Sequence, residues 1–239
     1  EITDGRLMEI DVPLNISSYD EDISSVVSMI LNNNASNSIL CGLYLINSTI
    51  KLNNASNIEI CNSKLLSNNS NILEIIGGQN NDLIDNYVSI NSLELNGIIL
   101  NNTQLNTIKG NVFEVNGTDV KIIVNMGSDH ELIDNNTFNA TGDNLVFIYS
   151  INSVFDKITN NKLIGNASYI CAYLASHVNH GFVGFNDVLV NAFGNDTNQS
   201  AVCYLNSSNN TVFGNNIEVY SINGEDYAVK IVSDRNLYL

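Results

Sequence analysis

The sequence predicts an all-β chain, a right-handed parallel β-helix solenoid of about eight coils with a short N-terminal capping helix. Three observations predict it. A short motif recurs at nearly constant spacing, the segments around it are brief apolar runs of strand type, and the punctuation between them is mostly asparagine. The 239 residues include 44 Asn against one Pro and no Trp. Asn occupies the left-handed backbone region readily and bonds to nearby backbone, so this composition implies a turn about every five or six residues. The 44% apolar content suffices to fill a core.

The recurring motif is an aliphatic residue, two variable positions, Asn, one variable position and a second apolar residue. Its seven copies lie at 60–65, 83–88, 108–113, 133–138, 158–163, 183–188 and 212–217. Their fourth positions are Ser63, Asn86, Asn111, Asn136, Asn161, Asn186 and Asn215, separated by 23, 25, 25, 25, 25 and 29 residues. A second polar column follows five residues later (Asn68, Asn91, Asn116, Thr141, Asn166, Asn191), and apolar runs such as 72–76, 120–124 and 145–149 precede the next copy. Runs of four to six residues rich in Ile, Val, Leu, Phe and Tyr, bounded by Asn, Gly, Asp and Ser, are strands. Each copy is then one rung, and stacked rungs pair as parallel strands about 4.8 Å apart. Residues three before and two after the motif Asn become inward aliphatic columns. Asn86, Asn111, Asn136, Asn161, Asn186 and Asn215 become an amide ladder.

The N-terminal segment, residues 1–34, reads differently. Ser18 and Glu21 frame a capping box, and Ile23, Val26, Val27, Ile30 and Leu31 follow a helical stripe that Asn32, Asn33 and Asn34 stop. The expectation is an amphipathic helix over about 18–31 that covers the open end of the first coil, followed by a parallel β-helix over 35–239. Residues 228–232 read as one more strand, and the β-helix is expected to be a piece of a longer surface protein.

The motif pattern over roughly 35–237 resembles the parallel β-helix repeats of the carbohydrate-binding and sugar-hydrolase superfamily that includes the NosD-like proteins. With its Asn-rich, acidic, sequon-rich composition the chain is most similar to adhesin-like surface proteins of methanogenic archaea. The resemblance implies the fold and an extracellular, cell-surface setting. It implies no single activity, because β-helices of this kind serve as lyases, hydrolases, tailspikes, adhesins and spacers.

Function therefore rests on the residues. A net charge of −16 opposes nucleic acid, whose affinity depends on Lys and Arg, and opposes anionic membrane surfaces. No run reaches the 18 or so apolar residues of a membrane span, so no direct membrane insertion is expected. Fourteen Asn-x-Ser/Thr sequons, among them Asn47, Asn68, Asn101, Asn116, Asn139, Asn166, Asn195 and Asn206, are glycan acceptors if the chain is exported, and are otherwise a product of Asn richness. Cys41, Cys61, Cys171 and Cys203 form no CxxC pair, and each suits a buried apolar run; Cys171 and Cys203, on neighbouring coils, are the best disulfide candidates, though one residue out of step.

A hydrolase needs two or three carboxylates converging on one face. Asp82, Asp85, Asp129, Asp134 and Asp156 fall in different columns and read as turn formers, with weak Ca²⁺ binding as the remaining chemistry. Lys109 stacks one coil from Asp134 and suits an ion pair. His177 and His180 share a turn but have no third ligand nearby, and His130 stands alone. No catalytic residue, cofactor site or metal site is expected. Tyr149, Tyr173 and Tyr204 lie on successive coils and either pack in the core or point outward as a strip for sugar rings or a protein partner. The expectation is a non-catalytic adhesin-like module for adhesion or structural presentation, with a cell-surface glycan or protein as partner and self-association as a further contact. The alternative is a carbohydrate-active β-helix, a polysaccharide hydrolase or lyase.

Overall fold

The computed structural model describes residues 7–17, 24–25, 28–193, 199–221, 226–232 and 237–238. They form an all-β parallel solenoid of about eight turns. One wall is a ten-stranded sheet that takes one strand of two or three residues from each coil; partial turns at both ends, Asn15–Ser17 and Leu237–Tyr238, add strands to it. The other wall is a seventeen-stranded sheet that wraps the rest of each coil. Every pairing recorded between named strands is parallel, and motif copies stack in register, for example Leu83↔Ile108 and Val88↔Phe113.

The inward columns follow from the period-two geometry of a strand. Three residues before the ladder, Ile60, Leu83, Ile108, Ile133, Ile158, Val183 and Val212 are buried; two after it, Leu65, Val88, Phe113, Phe138, Leu163 and Val188 are buried. Phe113 and Phe138 stack at 4.6 Å, and Phe147 meets Phe138 edge-on at 5.8 Å.

The asparagines divide into two physical roles. One set turns the chain. Each regular coil has left-handed corners one, six and nine residues before the ladder position, as at Asn135, His130 and Gly127 (φ 54°, 61° and 61°) or Asn160, Phe155 and Asn152 (φ 55°, 60° and 54°). The other set fills the inside of the turns. From Asn86 to Asn186, each ladder backbone N–H donates to the Oδ1 of the Asn one coil on at 2.9 Å, and each Nδ2 donates to that same oxygen and to a strand carbonyl. Ser63 begins the column by donating its N–H to Asn86. Backbone groups that a sharp corner would leave unpaired are thereby satisfied by side-chain amides.

The N-terminal segment departs from the helix expected there. Ser28–Asn32 is a strand paired in parallel with Leu7–Ile10 on one side and with Ile50–Asn53 on the other. Met29 and Leu31 face the core while Ile30 between them is only half-buried, the alternation of a strand, and sheet neighbours on both sides decide in its favour. Ser24–Ser25 is likewise extended; residues 18–23 and 26–27 of the expected helix lie outside the described residues.

Candidate functional site

A second interior ladder runs five residues before the first. Ile58 N–H donates to Asn81, Asn81 to Asn106, Asn106 to Glu131 Oε2 at 3.0 Å, and Glu131 to Asp156 Oδ1 at 3.3 Å. Two successive coils thus replace Asn by a carboxyl group, and both are sealed inside, Glu131 at 1% and Asp156 at 3% exposure. Thr103 Oγ1 and Asn106 Nδ2 donate to Glu131 Oε1, and Asn125 Nδ2 donates to Asp156 Oδ2 at 2.8 Å. Burial pushes the Glu131 carboxyl up to about 7, against the lowering effect of the bonds from Thr103 and Asn106. Burial, and then the neighbouring Glu131, raise Asp156 well above the usual carboxylate range. A pair in this position can hold a proton inside the rod. It cannot touch a polymer outside it.

The outer surface departs from Asn on the same coils. In the corner column that carries Asn37, Asn57, Asn80 and Asn209, four successive coils place Leu105, His130, Phe155 and His180, all left-handed with φ between 57° and 61°. Such a backbone costs a side chain with a Cβ roughly 1–2 kcal/mol, and only Gly, Asn and Asp adopt it routinely. The rings stack in a column, His130 on Phe155 at 4.8 Å and Phe155 on His180 at 4.9 Å, which returns part of that cost. Across the ten-stranded sheet, Phe185 occupies another left-handed corner (φ 58°) and meets Phe213 edge-on at 5.4 Å and Phe182 at 6.3 Å. Gly184 makes room here: a methyl group on it would overlap the Phe182 ring, which therefore lies over the strand. Phe155, Phe185 and Phe213 are 45%, 53% and 40% exposed, large values for phenylalanine. They form an aromatic face on the small sheet.

No family model matches the chain, and no curated protein matches it. Solved structures do. The catalytic domain of a GH87 alpha-1,3-glucanase in complex with nigerose matches with a TM-score of 0.33 and 13% identity, over 97% of this chain and 61% of that one. The Streptococcus pneumoniae surface protein and adhesin PfbA matches with a TM-score of 0.37 and 9% identity, over 98% of this chain and 92% of that one. The likeness is one of fold. The chain spans about three-fifths of the glucanase domain, and at these values neither relative assigns an activity.

The structure separates the three tyrosines. Tyr173 and Tyr204 lie in the core at 2% and 0% exposure with their rings edge-to-face at 5.6 Å, so no outward tyrosine strip exists. The cause is a bend within each long strand, where Ile122, Phe147, Ala172 and Ala201 are skipped in the pairing register and the facing changes. Tyr173 aligns with inward Ile148 and Tyr204 with inward Ala175, while Tyr149 stays half-buried outside with Lys121 Nζ 5.9 Å from its ring. The disulfide also differs from the expected pair. Cys41 and Cys61 are register partners on adjacent coils and are bonded, with Cα atoms 4.5 Å apart. Cys171 and Cys203 remain buried thiols, because Cys203 aligns with Leu174 and not with Cys171. Glu59 lies beside Cys41 and Cys61, but sulfurs joined to each other offer no thiolate to a metal.

Asp156 is no turn former, as the inner ladder makes plain. Burial is the largest single effect on the Asp134 carboxyl and raises it, but the bonds from Asn160 and Thr159 and the Lys109 ammonium, whose Nζ lies 3.4 Å away, together outweigh burial and hold the group below its ordinary value. His177 and His180 are separate left-handed corners. Of the sequon residues, Asn47, Asn68, Asn116, Asn166 and Asn206 are exposed, Asn101 and Asn139 are half-buried, and Asn195 lies outside the described residues. Asn68, Asn91 and Asn116 line an open groove of about 350 Å³ with Gly117 and Gly142. The inner acid pair and the aromatic corners went unread in the sequence although both columns were visible: Asn81, Asn106, Glu131, Asp156 inside, and Asn80, Leu105, His130, Phe155 one residue earlier.

Proposed function

We propose that the chain is a non-catalytic module of an extracellular surface protein, adhesin-like in the manner of the methanogen proteins its sequence resembles, which presents a rigid outer face to a cell-surface glycan or protein. The observation that carries this reading is the exposed aromatic face, where bulky residues hold left-handed corners that the fold elsewhere gives mostly to Asn, Asp or Gly. Conformations of this kind persist where they serve binding or catalysis. The Cys41–Cys61 disulfide supports export, since such bonds are maintained in oxidising compartments. Among the described residues no helix is long and apolar enough to cross a membrane. The alternative, hydrolysis or elimination on a polysaccharide, requires carboxylates that meet substrate, and the one close pair of shifted carboxyl groups described above is enclosed. A glycan-array and polysaccharide-cleavage screen, with and without calcium, tests the reading. Binding without turnover is the expected result; turnover lost on substitution of a single Asp or Glu would overturn it.

A further inference from the structure

We infer that the face formed by His130, Phe155, His180, Phe182, Phe185 and Phe213 binds an uncharged, extended oligosaccharide that lies along the axis of the rod. The inference rests on the adhesive reading and names its ligand.

Position supplies the first argument. These residues come from four consecutive coils, so the face is about 14 Å long at the spacing of parallel strands and no more than about 16 Å wide between its two corner columns. That is on the order of 200 Å², against about 800 Å² per partner in a stable protein interface. The face therefore matches a slender ligand better than a folded protein or a second copy of the chain.

Charge supplies the second. The chain carries −16, and although Lys157 is the register partner of Phe182, Asp134 lies two rungs from Gly184 in the same sheet and Asp187 two residues after Phe185, so the face offers a polyanion no net positive surface and leaves a neutral sugar chain unopposed. The third argument is the chemistry of the surface. Phe182 lies over Gly184 and offers apolar ring surface to the C–H side of a pyranose, and Phe185 and Phe213 cross at 83° beside it. In the other column the rings cover one another, leaving their edges exposed. There His130 and His180 offer ring nitrogens to sugar hydroxyls on either side of Phe155. An apolar centre with a few polar groups at its margin is the usual composition of a small-ligand site.

The test titrates the chain with neutral glucan and mannan oligosaccharides of increasing length, and with oligogalacturonate as the charged control, by calorimetry. Affinity for a neutral series is expected to rise with length and level off once the oligosaccharide outgrows the face, with no binding of the control. The double substitution Phe155→Asn and Phe185→Asn installs the residue that the same corners carry elsewhere; it is expected to leave the melting temperature within a few degrees and to weaken binding about tenfold or more, the loss of one or two ring contacts. Phe213→Ala, at a corner-free strand position, is expected to weaken binding in the same direction should the double variant fold poorly. Absence of binding by every neutral series, or unchanged binding in both variants, would overturn the inference. Binding that survives these variants but is lost on Asn116→Ala would place the ligand in the open Asn groove and leave the adhesive reading standing, whereas cleavage of any oligosaccharide would overturn that reading itself.

Discussion

The interior pair Glu131 and Asp156 predicts an unusual dependence of stability on pH. The Glu131 carboxyl is raised from 4.5 to about 7 in the folded chain. Between those values the folded carboxyl binds more proton than the unfolded one, so its contribution to stability falls as pH rises through the window and levels off above about 7. At 1.36 kcal/mol per unit, the fall from Glu131 amounts to about 3 kcal/mol. Asp156, raised as well, acts in the same direction. Asp134 is lowered, so its contribution is present above its unfolded value of 3.8 and is lost only in stronger acid, outside this window. Denaturant unfolding followed by circular dichroism from pH 4 to 8.5 reads the slope directly. Glu131→Gln keeps the size of the side chain and removes its titration; the absolute stability of the variant is secondary, and its slope should lose about 3 kcal/mol across the window. A wild-type stability that is flat or rising between pH 4.5 and 7, or a slope unchanged in Glu131→Gln, would refute the reasoning.

Three further outcomes follow from the same geometry. Asn136→Ala removes the acceptor of two donors of Asn111 and three donor contacts of its own, at a buried position, and should cost about 3 kcal/mol in equilibrium unfolding. Reduction of Cys41–Cys61, which closes a segment of 20 residues, should lower stability by about 3 kcal/mol on the chain-entropy estimate, with the loss in hydrogen exchange confined to the first coils, because a solenoid transmits stability mainly between neighbours. Leu105→Asn relieves a left-handed leucine that is 50% exposed, so it should stabilise the chain by about 1 kcal/mol, seen as a higher denaturation midpoint.

How far the sequence could be read follows from what repetition makes visible. Ile133, Asn136 and Phe138 recur at fixed offsets because each stacks on its own kind, so a parallel solenoid announces its inward columns and its ladder in one dimension. Facing within the long strands was not legible. Leu145, Val146, Phe147 and Ile148 are all apolar and all buried, Val146 in a separate outer cluster with Cys171 and Cys203, and the bend at Phe147 leaves no trace in hydropathy. For that reason the tyrosines were open to two readings, and Cys171 and Cys203 stood as the best disulfide candidates although one residue out of step. The N-terminal stripe failed for a related cause, since Met29 and Leu31 fit strand alternation once sheet neighbours exist. The aromatic face was hidden differently: His130 and Phe155 attract no notice until one knows that their column demands a left-handed backbone.

That column and the acid pair are covalent neighbours. Where the inner ladder keeps Asn81 and Asn210, the corner before it is Asn80 and Asn209; where the ladder carries Glu131 and Asp156, the corner is His130 and Phe155, and on the flanking coils Leu105 precedes Asn106 and His180 precedes Gly181. Each corner N–H donates across the coil, His130 to Val154 and Phe155 to Asn179, so the outer rings are held by the same short turns whose inner side must accommodate a carboxyl group. Ionising Glu131 places a charge in that turn, close to the carboxyl groups of Asp129 and Asp156, and weakens the packing that holds the corner. Amide exchange at His130 and Phe155 should therefore quicken as pH rises through about 7, beyond the base-catalysed increase seen at Asn57 and Asn80, and Glu131→Gln should abolish the excess. Equal acceleration at all four corners would show that the interior proton and the aromatic face share a coil without sharing a free energy.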